Sequence, residues 1–330
     1  MKNYVDVVGI DVSKLTLDAH LHKKAVHSVF SNDSKGFKKL IVWVKSQLGD
    51  ASVFYCFENT GNYSLKLSIY FAEQGVTYIE ENPLTIKRSV GIIRGKSDKL
   101  DASMISRYAW LHREELKVKK LKSKELLEIG RLLALRDQFV RNRTGLKSSL
   151  KEFKSLLSSP STDSCSKLVA QSINHCTKQI VKIELRIKEL LVSKTELNKN
   201  YRLLNTVRGV GLILSCQLLY HTSNFENFKT WRQFSSYCGT APFEYRSGTS
   251  INRSNRCSHI GDRKMKTLLS LASVSAIQHD SELKKYYKNK IEQGKPKMVA
   301  LNNVRNKLLA RVFAVVKRGT PYVELQKYVA

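Results

Sequence analysis

The sequence has few acidic side chains for its length. Its 330 residues include 28 Asp and Glu against 57 Lys and Arg, which gives a formal net charge of +29 at pH 7. This surplus of positive charge is far from the near-neutral balance of an ordinary soluble enzyme. It indicates a polyanionic partner, most simply nucleic acid. The surplus rises from +3 over residues 1–102 (14 basic, 11 acidic) to +11 over 103–201 (21 and 10) and +15 over 202–330 (22 and 7). Phosphate-binding charge is therefore expected mainly in the later parts of the chain.

Metal-binding cysteine patterns and membrane signals are also missing. The six cysteines show no CxxC spacing and the eight histidines show no zinc-ligand spacing, which argues against a zinc site. Neither a signal peptide nor an apolar run long enough to cross a membrane is recognisable. These absences predict a protein of a reducing cytoplasm with no membrane partner.

The first third alternates apolar strands with amphipathic helices. Residues 4–10 form a β-branched run typical of a central strand, and residues 34–48 carry apolar side chains at helical spacing. The predicted strands are 4–10, 15–22, 25–31, 52–57 and 76–80, and the predicted helices are 34–48, 63–74 and one that begins near Ser97. The order β-β-β-α-β-α-β-α predicts an α/β domain with the ribonuclease H-like nuclease fold.

Four acids lie where that fold binds metal. Asp11 follows the first predicted strand and Glu58 the fourth. Asp98 and Asp101 open the last helix, three residues apart and therefore on one helical face. Each alone has a simpler explanation, because carboxylates are common at strand ends and in the first turn of a helix. Together they predict a site for two Mg²⁺ ions that stabilise the attacking and leaving oxygens of a phosphodiester displacement.

Two other acids of this region are expected to lie outside the site. Asp6 falls inside the first predicted strand, so its side chain should point elsewhere. Asp18 belongs to an alternating strand pattern and is expected on the solvent side.

The middle third predicts two long helices. Residues 122–157 and the stretch after the break at 158–161 both carry apolar side chains at three- and four-residue steps. The second helix has its apolar positions at Ile173, Cys176, Ile180, Ile183, Ile187 and Leu190. This spacing predicts an antiparallel helical hairpin with a coiled-coil seam, or a dimerisation arm, whose Lys and Arg form a solvated outer face.

The last third combines apolar helices with a basic segment. Gly209-Val210-Gly211 leads into an apolar helix over 212–220, and an aromatic-rich helix is predicted over 225–237. Its aromatic residues Phe225, Phe228, Trp231 and Phe234 are expected to be core. Residues 252–266 are predicted to form a loop rich in Arg and Lys that leads into a helix over 265–277, and this loop is the strongest local indication of nucleic-acid binding.

An ordered set of motifs carries a family resemblance. The motifs are Gly9-Ile10-Asp11-Val12-Ser13-Lys14, Glu58-Asn59-Thr60-Gly61, Asn82-Pro83, Lys96-Ser97-Asp98-Lys99-Leu100-Asp101-Ala102, Gly209-Val210-Gly211, Tyr237-Cys238-Gly239-Thr240-Ala241-Pro242, Ser247-Gly248 and Gly261-Asp262-Arg263. Together they resemble the DEDD-type transposases of bacterial insertion sequences, a group that includes Piv-type DNA invertases and bridge-RNA-guided recombinases. The resemblance spans essentially the whole chain and places it in the bacterial cytoplasm.

The resemblance implies a mechanism and partners. The amino-terminal domain would be RuvC-like and bind Mg²⁺ through the four acids named above. Ser247, in a Ser-Gly motif, would be the nucleophile that forms a covalent phosphoserine link with DNA, with Arg246 and Arg253 as candidates to stabilise the phosphate. The implied partners are double-stranded target and donor DNA, a structured guide (bridge) RNA, and further copies of this chain in a dimer or tetramer.

The expected organisation is three domains. They are a RuvC-like nuclease domain over 1–115, a helical coiled-coil or dimerisation arm over 116–201, and a mostly α-helical serine transposase domain over 202–330. The residues expected to bind nucleic acid are Arg246, Arg253, Arg256, Arg263, Lys264 and Lys266.

Two other functions fit the same residues. The first is a RuvC-like nuclease in which water is the nucleophile and Ser247 is only structural. The second is a nucleic-acid-binding architectural protein with a decayed nuclease domain. The sequence also departs from the family pattern at Thr240, where Leu is usual, and at Ile260 and Asp262, where Arg and Asn are common.

Overall fold

The computed structural model describes residues 4–89, 91, 95, 97–118, 120–156, 164–247 and 251–323, with only the backbone of Leu156, Ser247 and residues 251–254. It divides the chain into two compact units, Met1–Leu121 and Lys122–Ala330. All six cysteines are unpaired thiols. Within the described ranges, no helix has both the length and the hydrophobicity that a membrane crossing requires.

The first unit is a five-stranded sheet covered by helices on both faces. Its elements are β1 (Asp6–Val12), β2 (Thr16–Leu21), β3 (Val26–Ser31), α1 (Ser34–Leu48), β4 (Val53–Glu58), α2 (Asn62–Glu73), β5 (Tyr78–Glu81), α3 (Pro83–Ser89) and α4 (Asp98–Leu111). The strand order is β3-β2-β1-β4-β5, with β1 antiparallel to β2 and parallel to β4. This is the predicted ribonuclease H-like topology, with one additional short helix, α3.

Side chains of β1 alternate between two cores. Val8, Ile10 and Val12 pack against residues of α1 and α2, whereas Val7 packs against residues of α3 and α4. Successive side chains of a strand point to opposite faces of the sheet. Asp11 has the same parity as Val7, so it lies on the face that α4 covers.

Gly9 allows α4 to approach β1 closely. A Cβ added at Gly9 would lie 2.2 Å from the backbone nitrogen of Ser106 and 2.5 Å from the backbone oxygen of Ala102. Both atoms belong to the main chain of α4, so no side-chain rotation could relieve the clash. The absence of a side chain at Gly9 therefore sets the distance between β1 and α4.

We expect Gly9→Ala to lower the free energy of unfolding by about 1–3 kcal/mol or more, because overpacking against backbone displaces the helix. Urea titration followed by circular dichroism measures the change. Gly145→Ala is the matched control, since Gly145 is an exposed helical residue with nothing within 4 Å of an added Cβ. The control should instead stabilise by about 0.5–1 kcal/mol. A Gly9→Ala variant as stable as the parent would contradict the close packing of β1 and α4.

In its described residues, the second unit is helical apart from one β-hairpin. Its elements are α5 (Lys124–Leu156), α6 (Ser164–Ser193), α7 (Thr195–Asn205), α8 (Leu212–Thr222), α9 (Trp231–Tyr237), β6 (Pro242–Ser247), β7 (Ile251–Cys257), α10 (Arg263–His279), α11 (Ser281–Glu292) and α12 (Lys297–Arg318). Residues of both α5 and α6 contribute to the core of this unit.

The helices α5 and α6 run antiparallel. Arg136 Nε lies 2.7 Å from Glu184 Oε1, and Arg186 Nη2 lies 3.0 Å from Glu128 Oε1. From Glu128 to Arg136 the chain runs forward along α5, whereas their partners run backward along α6 from Arg186 to Glu184. The buried side of α6 is formed by Cys176, Ile180, Ile183, Ile187 and Leu190, as its spacing predicts. The coiled-coil character of the hairpin stays a prediction.

The predicted helix over 225–237 is wrong in its first half. Backbone φ angles are positive from Ser223 to Phe225, and α9 begins only at Trp231. Left-handed residues cannot continue a right-handed helix. The expected core role is confirmed, because Phe234 is fully buried and the other aromatics, Phe225, Phe228 and Trp231, pack against the same core.

The predicted basic loop over 252–266 is also corrected. Its first part is the strand β7, and α10 begins at Arg263. The strand reads Ile-Asn-Arg-Ser-Asn-Arg-Cys, which has no alternation of apolar and polar residues. The strand β7 therefore gives no period-two signal, which is why the sequence pattern indicated a loop.

Candidate functional site

Three carboxylates converge in the first unit. Asp11 of β1 and Asp98 and Asp101 of α4 each have one ligand oxygen, and these oxygens all lie within 4.8 Å of one another. The hydroxyl of Ser97 accepts a hydrogen bond from Leu100 N at 3.3 Å and caps α4. The two helix acids therefore sit in a capped first turn, where the helix dipole favours negative charge.

The surroundings of Asp11 favour its protonated form. Burial, followed by the charges of Asp101, Asp98 and Glu58, raises the pKa of Asp11 to about 6. Without a cation, such a cluster is held together against its own repulsion. Closely spaced carboxylate oxygens are the ligands that hard divalent cations prefer, so the donor set fits a divalent metal.

Glu58 lies near this group without joining it. The parallel pairing of β1 and β4 runs to Ile10 and Phe57, so Asp11 and Glu58 each follow the last pair. Its charge acts on the pKa of Asp11, but its ligand atoms are not part of the group within 4.8 Å. The structure thus brings three of the four predicted acids together and leaves the fourth on the adjacent strand.

The expectation for Asp18 is wrong. Asp18 pairs with Asp11 across β1 and β2, and it is only 8% exposed rather than solvated. Its Oδ1 lies 2.8 Å from Nε2 of His27 on β3. Asp18 is thus a buried neighbour of the acidic group that sequence alternation missed.

Asp6 lies apart from the acidic group, as expected. Its Oδ1 accepts hydrogen bonds from Val7 N at 2.7 Å and Lys23 N at 3.0 Å. The side chain therefore satisfies backbone donors of β1 and of the β2–β3 turn.

The hairpin β6–β7 carries several of the predicted nucleic-acid residues. Its strands pair Arg246 with Asn252 and Ser247 with Ile251. Arg246 and Arg256 are exposed. The side chains of Ser247 and Arg253, and Gly248 as a whole, lie outside the described residues.

The remaining residues that are predicted to bind nucleic acid lie at the start of α10. Arg263 is exposed and Lys266 is half-buried, whereas Lys264 forms an ion pair with Asp137 of α5. Asp262 Oδ1 accepts a hydrogen bond from Met265 N at 2.8 Å and so caps the helix. The acid that departs from the family pattern therefore has a structural partner.

Asp262 also belongs to a network of hydrogen-bonded side chains. The Tyr237 hydroxyl lies 2.8 Å from His221 Nδ1 and 3.3 Å from Asp262 Oδ2, and His221 Nε2 lies 3.2 Å from Gln217 Oε1. Burial lowers the pKa of His221 to about 4, although Asp262 acts in the opposite direction. The ring is neutral at pH 7, and it can donate to Gln217 from Nε2 while it accepts from Tyr237 at Nδ1.

We expect this network to make stability depend on pH. The pKa of His221 falls from 6.5 to about 4 on folding, so its contribution is complete above pH 6.5 and is lost as the pH falls through 4. The loss should be on the order of 1–3 kcal/mol. Urea titrations between about pH 4.5 and 7.5 measure it. In His221→Gln the free energy of unfolding should change less with pH than in the parent. An equal pH dependence in both proteins would contradict the role given to His221.

Thr240 occupies a polar pocket. The residue is fully buried, and its hydroxyl lies 3.0 Å from Ser235 Oγ and 3.3 Å from Asn306 Oδ1. Its carbonyl accepts hydrogen bonds from Nδ2 of Asn302 at 2.9 Å and of Asn306 at 3.1 Å. The departure from the usual Leu is thus matched by polar partners, which fasten the start of β6 to α12.

Comparison with known proteins gives two family matches. A DEDD-type transposase model of IS110 elements matches residues 8–157, and a model described as transposase of the IS116/IS110/IS902 family matches residues 201–288. The matches therefore include the acidic site in one unit and the hairpin β6–β7 in the other.

Two known proteins are similar to nearly the whole of this chain, and two others are similar to part of it. The pilin gene-inverting proteins of Moraxella bovis and Moraxella lacunata are each 27% identical over 326 residues, which is 96% of this chain and 97% of theirs. An uncharacterized 43.6 kDa protein of insertion element IS110 from Streptomyces coelicolor is 27% identical over 47% of this chain and 37% of its own length. T. thermophilus RuvC, solved with a Holliday junction substrate, aligns at 13% identity and a TM-score of 0.26 over 35% of this chain and 100% of that chain. The chain belongs to the IS110 family of DEDD-type transposases and recombinases.

Proposed function

We propose that this protein is a DNA transposase or site-specific recombinase whose acidic site binds Mg²⁺ and whose Ser247 attacks the DNA backbone. The observation that carries the proposal is the convergence of Asp11, Asp98 and Asp101 within 4.8 Å. Carboxylates held so close to one another are costly unless a cation binds them. Its family makes the chain an enzyme that cuts and rejoins DNA.

Three elements would present the acids to the metal. Asp11 comes from β1 and Asp98 and Asp101 from α4, and Glu58 at the end of β4 is the proposed fourth ligand. Bound Mg²⁺ would act as a Lewis acid that stabilises charge on the attacking and leaving oxygens. The chain itself holds the carboxylates in place, because β1 and α4 pack main chain against main chain at Gly9.

Ser247 supplies the nucleophile in this proposal. Its Oγ forms a bond to phosphorus while a P–O bond of the DNA backbone breaks, and the leaving oxygen takes up a proton. The hydroxyl of an exchanged strand then attacks the phosphoserine, which releases Ser247 and rejoins the DNA. Arg246 and Arg253 would stabilise the negative charge that develops on the phosphate.

The second unit is the proposed nucleic-acid surface. Exposed Arg246, Arg256 and Arg263 would contact phosphates of target and donor DNA, together with Arg253, Lys264 and Lys266. A structured guide RNA would select both DNAs by base pairing, which would give the basic chain a second polyanion to bind. Since the Moraxella relatives are pilin gene-inverting proteins, inversion of a DNA segment is included with transposition.

We propose that further copies of the chain assemble through the α5–α6 hairpin into a dimer or tetramer. The side of α6 away from its buried seam exposes Val181, Leu185 and Val192, which suit a coiled-coil contact. The proposed division into 1–115, 116–201 and 202–330 assigns this arm a role of its own.

Trapping an intermediate tests the proposal. The purified protein is incubated with Mg²⁺ and a nicked DNA substrate that carries the element junction, with and without the RNA transcribed beside the gene. We expect a covalent protein–DNA adduct and joined recombinant strands. Cut DNA without any adduct would favour the hydrolytic nuclease, and binding without cutting would favour the architectural protein.

A further inference from the structure

Two arginines of α12 have contrasting surroundings. The side chain of Arg311 is 11% exposed, and its guanidinium nitrogens lie 2.6 Å from oxygens of Asp280 and of Glu282. Arg305 is 5% exposed, and within the described parts of the chain no carboxylate pairs with it. Its Nη1 donates to Asn302 Oδ1 at 3.2 Å, while its Nε is buried without a hydrogen-bond acceptor.

An unpaired buried cation destabilises a fold. Burial lowers the pKa of the Arg305 guanidinium, although arginine stays protonated at neutral pH. Removing a charge from water costs several kcal/mol unless an opposite charge repays it, as two carboxylates do for Arg311. A buried charge that lacks such compensation is a candidate for a binding role.

The position of Arg305 indicates what the missing anion is. Its partner Asn302 also donates to the carbonyl of Thr240, and Asn302 Nδ2 lies 3.5 Å from Cys257 Sγ. Thr240 comes just before β6 and Cys257 ends β7, so both lie at the open end of the hairpin, which we call its base. Through Asn302, Arg305 lies at this base as well. The same hairpin exposes Arg246 and Arg256. An anion arriving there meets a cationic surface, and a phosphodiester suits the guanidinium fork.

We propose that Arg305 binds one phosphate of a nucleic-acid backbone at the base of the β6–β7 hairpin. The inference rests on the proposed function, since it takes the ligand to be the DNA or the RNA on which the enzyme acts. With 5% of its surface exposed, Arg305 would meet the phosphate at the edge of the guanidinium. Asn302 would hold that group while it fastens Thr240, so that the bound phosphate and the hairpin share one support.

Arg305→Gln and Arg311→Gln form a matched pair on one helix. Affinity for a duplex DNA oligonucleotide and for a stem-loop RNA is measured at several salt concentrations, together with the melting temperature. For Arg305→Gln we expect a lower affinity and a salt slope reduced by about one on the nucleic acid that supplies the phosphate. Its melting temperature should equal or exceed that of the parent, because an uncompensated charge is removed. Arg311→Gln should keep the salt slope and melt lower, because Asp280 loses its partner.

Arg305→Lys keeps the charge and should retain the parent's salt slope. An unchanged slope for Arg305→Gln on both nucleic acids, or a melting temperature below the parent's, would overturn the inference and make Arg305 a structural residue. An equal loss of slope in Arg311→Gln would also overturn it. Failure of the proposed function looks different, because the parent itself would then form no adduct and no recombinant strands.

Discussion

Replacing Asp101 with Asn should abolish DNA cleavage and strand exchange while nucleic-acid binding persists. The change keeps the size of the side chain but removes one of three charges that lie within 4.8 Å of one another. We expect a loss of about a hundredfold to a thousandfold, the scale at which removal of one charge-stabilising group lowers a turnover rate. Asp98→Asn should behave alike. Gel assays of cleavage and filter binding of the same labelled DNA separate the two activities.

Asp50→Asn is the control for this substitution. Asp50 is an exposed acid of the same unit, so its loss changes net charge equally without touching the site. It should retain the parent's activity. Equal activity in Asp101→Asn and Asp50→Asn would contradict the metal site.

The difference in melting temperature between Asp101→Asn and the parent should change sign when Mg²⁺ is added. Without divalent cations, Asp101→Asn relieves repulsion on Asp11 and should melt above the parent. With millimolar Mg²⁺, binding stabilises only the protein that can bind it, so the parent should gain more than the variant. If Mg²⁺ does not raise the melting temperature of the parent, the result would argue against the proposed cofactor.

The sequence predicts most of the first unit because its signals are local. The apolar runs of β1 and β4 and the spacing of α1 indicate their own structures, and strand order follows from the fold class. Asp98 and Asp101 share a helical turn that Ser97 caps, which the short segment 97–101 suffices to show. Their approach to Asp11 depends on Gly9, whose role emerges only when α4 is packed on β1.

Side-chain direction across strands is harder to predict. Asp18 looks like a solvent-facing residue in an alternating strand, yet the register of β1 and β2 sets it opposite Asp11. The face of β2 that carries it is covered rather than solvated, as His20 on the same face shows by its 2.8 Å contact with Ser106 of α4. Alternation shows which residues share a face, but packing decides which face is buried.

The sequence of the second unit predicts its secondary structure less well, for similar reasons. The strand β7 has no alternation of apolar and polar residues, and the aromatic series that resembles a helix over 225–237 begins with left-handed backbone at Phe225. Long-range partners are invisible in the sequence as well. Thr240 looks like a departure until Asn302 and Asn306 of α12 are placed beside it.

Ser247→Ala should eliminate the covalent protein–DNA adduct and all strand joining. The substitution removes the one oxygen that would bond to phosphorus, so the expected loss is complete for the adduct rather than partial. The four acids are untouched, and Mg²⁺ should therefore raise the melting temperature of Ser247→Ala as it does that of the parent. Adducts are measured on denaturing gels with end-labelled nicked DNA.

Ser236→Ala is the control for the nucleophile, because Ser236 is an exposed serine of the same unit. It should form the adduct at the parent's rate. Ser247→Cys adds a second test, since a thiol is a nucleophile of similar reach and an adduct through sulfur would place residue 247 at the phosphate. If Ser247→Ala still forms the adduct, another hydroxyl is the nucleophile. If it cuts DNA as fast as the parent and neither protein forms an adduct, water attacks the backbone and the chain acts as a hydrolytic nuclease.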